Sequence, residues 1–142
     1  MTQQEVFDKA YNHFVTEKGL PSICEDTDQD NNLVCKYKLY PDDPDSPRCA
    51  VGLFIEDYNK ELESEYIALL VADEIIPKLE STKYPLAFWA SLQRCHDFAT
   101  NHADFHTYIE ANLYCFANKY DLQHEPLSQG AELLAPDSHL IL

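Results

Sequence analysis

The fold class depends on Leu33-Val34-Cys35-Lys36-Tyr37-Lys38-Leu39-Tyr40 and on a second stretch, Cys49-Ala50-Val51-Gly52-Leu53-Phe54-Ile55. The first stretch begins apolar and then alternates charged and apolar residues, which is typical of a half-buried strand. The second is a short continuous apolar run, which favours a more buried strand, although periodicity alone does not exclude a helical turn. Three prolines lie between them, at positions 41, 44 and 47, and predict a turn-rich connection. Together the two stretches predict one small antiparallel hairpin.

Helical signals surround this hairpin. A capping box at Thr2 and Glu5 opens a first apolar stripe, and Gly19 is expected to end that helix in the left-handed conformation. Further apolar stripes predict helices over residues 65–76, 85–101 and 104–120. The helix over 85–101 begins at Pro85, and Asp104 caps the helix over 104–120. A lone hairpin is marginal in water and must pack against helices. We therefore predict an α+β fold of about four helices and one hairpin, with residues 1–122 as a single globular domain and residues 123–142 as an irregular C-terminal tail.

Composition narrows the class of protein. At 142 residues with 45% hydrophobic content, the chain is large enough for one domain with a core of its own. Its five cysteines form an odd set without a Cys-x-x-Cys pair, which indicates reduced thiols rather than a disulfide framework. The N-terminal residues show neither the basic nor the apolar region of a signal peptide. We expect a cytoplasmic protein.

Charge is the strongest functional signal. The net charge is −15, and residues 25–65 hold 12 acidic against 4 basic residues, a net charge of −8. Such a field repels nucleic acid and anionic membranes and attracts basic protein surfaces. We predict no direct nucleic-acid or membrane partner, and a basic protein surface as the partner. The expected partner-binding carboxylates are Asp42, Asp43, Asp45, Glu56, Asp57, Glu61 and Glu63.

Two motifs carry a resemblance. Arg48-Cys49-Ala50-Val51-Gly52, followed by an apolar pair, and Leu92-Gln93-Arg94-Cys95-His96-Asp97 resemble a family of small phage, prophage and bacterial proteins of unassigned function. Cys35 matches a cysteine that precedes the first motif in that family. The chain departs from the pattern at Leu53, where a second cysteine is expected, and at Glu56, where proline is expected. The resemblance implies a phage-like context and a similar fold from residue 35 to residue 122, but no activity.

The motif residues suggest one site. Cys35, Cys49 and His96 are possible zinc ligands, and Cys49 with His96 is a possible nucleophile and base. However, buried free cysteine is a common core residue, and neighbouring helical residues point about 100° apart, so a bond between His96 and Asp97 is not expected. We predict structural cysteines, no cofactor and no metal.

The sequence therefore favours a non-enzymatic acidic binding protein that docks on a basic surface, in the manner of a phage-type inhibitor or nucleic-acid mimic acting on a host nucleic-acid-handling or defence protein. A small thiol- or metal-dependent hydrolase using Cys49 and His96 is the first alternative. A structural accessory protein is the second. The oligomeric state is left open.

Overall fold

The computed structural model of the chain describes residues 1–26 and 32–138. Its helices are α1 (Gln3–Tyr11), α2 (Ile67–Ala72), α3 (Pro85–Ala99), α4 (Phe105–Lys119), α5 (Gln129–Glu132) and α6 (Ala135–Ser138). A π-helical turn, Asn12–Thr16, extends α1, and 3₁₀ turns cover Gly52–Phe54 and Lys60–Ser64. The strands β1 (Ile23–Asp26) and β2 (Asn32–Cys35) form one antiparallel sheet. The predicted α+β class, helices with one small hairpin, is confirmed.

The hairpin is built from other residues than the sequence suggests. β2 includes the start of the first predicted strand, but its partner is β1, with Ile23 opposite Cys35. The sequence from residue 24 to residue 32 is polar and typical of a loop, so it does not predict this partner. The predicted second strand, Cys49 to Ile55, is a turn followed by a 3₁₀ helix. Arg48 stabilises that turn because its Nη1 donates to the carbonyl oxygens of Gly52 and Ile55, at 2.8 and 3.0 Å. The prediction of a strand there is wrong. Among the described residues, an isolated β-bridge joins Lys38 to Arg48, the residue before the second quoted stretch.

The first helix ends differently from the prediction. The capping box of Thr2 and Glu5 is present, but Lys18, with φ of 57°, takes the left-handed conformation instead of Gly19. Gly19 is needed for a close approach: a Cβ at this position would lie 2.3 Å from Nε2 of His13. The glycine therefore makes room for a half-buried imidazole rather than supplying the left-handed stop.

The later helices agree with the boundaries predicted from the sequence to different degrees. Pro85 occupies the first turn of α3, and the Asp104 side chain accepts a hydrogen bond from Thr107 N at the start of α4. α2 is shorter than the predicted 65–76. It ends at Ala72 because Glu74 adopts a positive φ of 53°. The chain then turns inward, and Ile76 is buried.

The core lies between α1, α3, α4 and the 3₁₀ turn at residues 52–54. Trp89 is 1% exposed and packs edge-on against Phe54 and Phe88, with ring centroids 5.0 and 5.9 Å apart. Phe88 in turn contacts Phe116 of α4. Trp89 and Phe88 are therefore core residues, as their place on an apolar helical stripe indicates.

The segment after residue 122 carries the short helices α5 and α6, which pack on α4. Ser128 caps α5, and the carboxylate of Glu110 on α4 accepts hydrogen bonds from Ser128 N and Oγ, at 2.7 and 3.1 Å.

The division of the chain at residue 122 stays a prediction. The apolar residues at the end of the sequence are expected to anchor this segment, but Leu140, Ile141 and Leu142 lie outside the described residues. In the part of the chain that the structure describes, no helix has the length and apolar character needed to cross a membrane.

Candidate functional site

His96 is the centre of a hydrogen-bonded network on α3. The backbone N–H of Ser22 donates to His96 Nε2 at 3.1 Å, so Nε2 is an acceptor and the ring proton is on Nδ1. Nδ1 lies 2.9 Å from Asp97 Oδ1 and donates to it. The prediction that these neighbours do not bond is wrong. The short Asp97 side chain turns back toward the ring, where Gln93 also holds it.

Gln93 joins this network to the apolar turn of the first motif. Its Nε2 donates to Asp97 Oδ1 at 2.7 Å, and its Oε1 accepts from Val51 N at 2.9 Å. Val51 N–H thus finds a partner on α3 rather than on a neighbouring strand. The sequence reasoning missed this role of Gln93, although its spacing of four residues from Asp97 on one helix face was a usable signal.

Cys35 and Cys49 are weakly reactive thiols. Burial raises the pKa of the Cys35 thiol to about 12, and the Asp97 carboxylate, which accepts its hydrogen bond, adds to this. Cys49 is 1% exposed, and burial raises its pKa strongly. Its Sγ accepts a hydrogen bond from Gly52 N at 3.3 Å. Neither environment stabilises the thiolate that a nucleophile or a metal ligand requires.

The structure brings together a set of residues that differs from the predicted one. Among the described residues, Cys35, His96 and Asp97 place ligand atoms within 4.8 Å of one another, and Cys49 lies outside this group. A metal ion on His96 Nδ1 would move the ring proton to Nε2, which faces the Ser22 N–H donor. A general base would need the same Nε2 lone pair. The hydrogen bonds of His96 therefore favour a structural role over the hydrolase and metal alternatives.

Thiol labelling of the native chain checks this assignment. We expect a maleimide at pH 7 to modify the half-buried Cys24 first, and to leave Cys49 and Cys95 unmodified because both are buried and their pKa values are raised. In denaturant all five cysteines should react, which controls for reagent activity. Rapid native labelling of Cys49 would contradict the assignment and favour the hydrolase alternative.

The predicted partner-binding carboxylates differ in their surroundings. Asp42, Asp43, Asp45, Glu56, Asp57 and Glu61 are exposed. Glu63 is half-buried, and its oxygens accept hydrogen bonds from Tyr37 N, Lys38 N and the Tyr58 hydroxyl, at 2.8, 3.0 and 2.6 Å. Glu63 therefore holds the segment after β2 in place, whereas the other six face solvent.

Two of the exposed carboxylates belong to a groove of about 520 Å³, which we call the acidic groove. Its lining residues are Phe54, Glu56, Asp57, Asn59, Leu62, Asp73, Glu74, Ile75, Ile76 and Pro77. Four carboxylates thus surround an apolar floor. The sequence reasoning missed Asp73 and Glu74, whose position after α2 carries no signal that the chain folds back toward Glu56.

Comparison with protein-family models, with curated proteins and with solved structures found no match. The similarity to small phage and bacterial proteins that the two motifs indicate stays a prediction.

Proposed function

We propose that this chain is a non-enzymatic binding protein whose acidic face docks on a basic surface of a partner protein. The observation that carries the proposal is the acidic groove, in which Glu56, Asp57, Asp73 and Glu74 lie around a floor that includes Phe54 and Ile76. A solubilising charge needs no such arrangement, because scattered carboxylates would serve equally well.

The groove suits a lysine or arginine side chain on physical grounds. Such a side chain has an apolar stem and a charged head, and it buries the stem while the head stays near water or a counter-charge. An apolar floor with carboxylates at its edge offers both environments at once. The net charge of −15 adds long-range steering toward a basic partner, which speeds encounter and weakens as salt is added.

The loop at residues 41–47 presents further carboxylates to solvent. Asp42, Asp43 and Asp45 are exposed, and the loop is ordered by its own bonds, since Asp45 N donates to Asp43 Oδ1 at 2.9 Å. Carboxylates fixed on a folded surface can imitate a track of phosphates and occupy the basic groove of a protein that handles nucleic acid. Together with the motif resemblance, this supports a phage-type inhibitor or nucleic-acid mimic acting on a host protein.

Neutralising the groove tests the proposal against a control of equal charge. In the groove variant, Glu56→Gln, Asp57→Asn, Asp73→Asn and Glu74→Gln change the net charge from −15 to −11. The control variant makes the same change with Asp8→Asn, Asp121→Asn, Glu125→Gln and Glu132→Gln, all exposed and outside the groove. Exposed ion pairs contribute about 0.2–1 kcal/mol each. We therefore expect the groove variant to bind a fluorescent oligolysine peptide about tenfold more weakly or worse, and the control to stay within about threefold of the unmodified chain.

Fluorescence anisotropy at low and high salt measures the affinity, and thermal melting confirms that both variants fold. Equal weakening in the two variants would show that only net charge matters, and the groove would then not be the docking site. Binding that high salt leaves unchanged would contradict an electrostatic interface.

A further inference from the structure

A second pocket, of about 500 Å³, lies where the segment after β2 faces α3, and we call it the Asp97 pocket. Among its lining residues are Cys35, Tyr37, Glu65, Tyr66, Leu86 and Asp97. It shares no lining residue with the acidic groove. The docking proposed above makes no use of this pocket.

Asp97 is a positioned carboxylate in this pocket. His96 Nδ1 and Gln93 Nε2 both reach its Oδ1, at 2.9 and 2.7 Å, and these donors fix its orientation. The Asp97 side chain is nevertheless 38% exposed, so the carboxylate keeps a face open to a ligand. The neighbouring thiol of Cys35 is a weak donor and does not neutralise the charge. A fixed, partly open carboxylate is a preorganised partner for a cation.

The pocket is negatively charged. Glu63, Glu65 and Asp97 line it together with a single basic residue, Lys36. Burial is the main cause that raises the pKa values of Tyr37 and Cys35. For Tyr37, Cys49 and then Glu63 add to the shift, and for Cys35 the Asp97 carboxylate adds to it. The carboxylates that contribute to these raised pKa values also attract a cation to the pocket.

The mouth of the pocket is aromatic and apolar. Tyr66 is 85% exposed and Leu86 is 44% exposed, and Ile67 and Ala90 continue the apolar wall. An aromatic face within about 6 Å attracts an ammonium or guanidinium group, and an alkyl stem gains by covering apolar side chains. The pocket thus has a carboxylate for a charged head and an apolar wall for a stem.

We propose that the Asp97 pocket binds an organic cation: an alkyl chain ending in an ammonium or guanidinium group, with the head on Asp97 and the stem against Tyr66 and Leu86. His96 and Gln93 act as positioning residues for the carboxylate. The cation is either a free amine or the side chain of a lysine or arginine in another protein, since both present the same chemistry.

Titration with small probes, followed by NMR, tests the pocket. n-Butylammonium and agmatine should shift the signals of the Gln93 side-chain amide and of the Tyr37 and Lys38 amides, while n-butanol and sodium chloride at equal concentration should not. Asp97→Asn keeps the size of the side chain and should weaken the binding of both amines about tenfold or more, because a charge-assisted bond becomes a neutral one.

Two further variants keep the test independent of any folding effect of Asp97→Asn. Tyr66→Ala removes the exposed aromatic side chain from the pocket wall and should weaken binding about threefold. Asp121 is exposed and lies outside the pocket, so Asp121→Asn should leave binding unchanged. A peptide of acetyl-Gly-Lys-Gly-amide identifies the source: tighter binding than agmatine indicates a protein side chain, and weaker binding a free amine. Equal shifts with n-butanol, or affinity unaffected by both Asp97→Asn and Tyr66→Ala, would overturn the proposal.

Discussion

Replacing His96 with alanine is expected to lower the free energy of unfolding by about 3–5 kcal/mol, as for a large buried side chain. The ring is fully buried and packs against Phe14 and Phe105, with centroids 5.7 and 5.6 Å apart. Its loss leaves a cavity and removes the acceptor for Ser22 N–H, and an orphaned buried donor alone costs about 1–3 kcal/mol. Urea unfolding followed by circular dichroism measures the change.

His102→Ala is the matched control. His102 is exposed and stacks on Tyr108 at the surface, so its replacement should cost less than about 1 kcal/mol. Active sites often trade stability for activity, so replacing a residue that serves only catalysis or metal binding can leave stability unchanged or raise it. A His96→Ala variant as stable as His102→Ala would therefore contradict the structural role and return the hydrolase alternative to consideration.

Gly52→Ala is expected to destabilise the chain by about 3 kcal/mol or more, at the upper end of the range for overpacking. A Cβ at this position would lie 1.9 Å from the carbonyl oxygen of Tyr37 and 2.8 Å from its carbonyl carbon. The clash is with backbone, and that backbone has little freedom to retreat because Glu63 holds the N–H groups of Tyr37 and Lys38. Thermal and urea unfolding measure the loss.

Gly130→Ala provides the opposite expectation within the same chain. Gly130 lies in α5, and a Cβ there would be 3.5 Å from Thr107 Cγ2, an ordinary contact. Alanine is favoured over glycine within a helix by about 0.5–1 kcal/mol, so this variant should be as stable as the unmodified chain or slightly more stable. Similar destabilisation by both substitutions would show that the close approach at Gly52 is not the cause.

The elements that the sequence predicts correctly have local signals. Pro85 and Asp104 begin helices α3 and α4 because a first-turn proline and a side-chain cap act within one helical turn. The hairpin is different, since strand pairing depends on which distant segment supplies the partner. The run from Cys49 to Ile55 is apolar enough for a strand, but the guanidinium of Arg48 and the Gln93 side chain bind its backbone instead.

The residues of the candidate sites were likewise predictable from the sequence only in part. Glu56 and Asp57 stand out because they belong to an acidic stretch, but Asp73 and Glu74 reach the same groove only through the turn after α2. The motif residues Cys35, His96 and Asp97 do come together. Their chemistry depends on two partners. Gln93 lies four residues before Asp97 on the same helix, a spacing visible in the sequence, whereas Ser22 N–H is 74 residues from His96 and no spacing reveals its position.

The location of a bound basic peptide tests the central claim most directly. When an oligolysine peptide is titrated into the labelled protein and followed by NMR, we predict the largest shifts at backbone amides of residues 54–62 and 73–76, around the acidic groove, with smaller shifts in the loop at residues 42–45. These shifts should disappear as salt is raised. Shifts spread evenly over the exposed carboxylates, or confined to residues outside these segments, would contradict docking through the acidic groove.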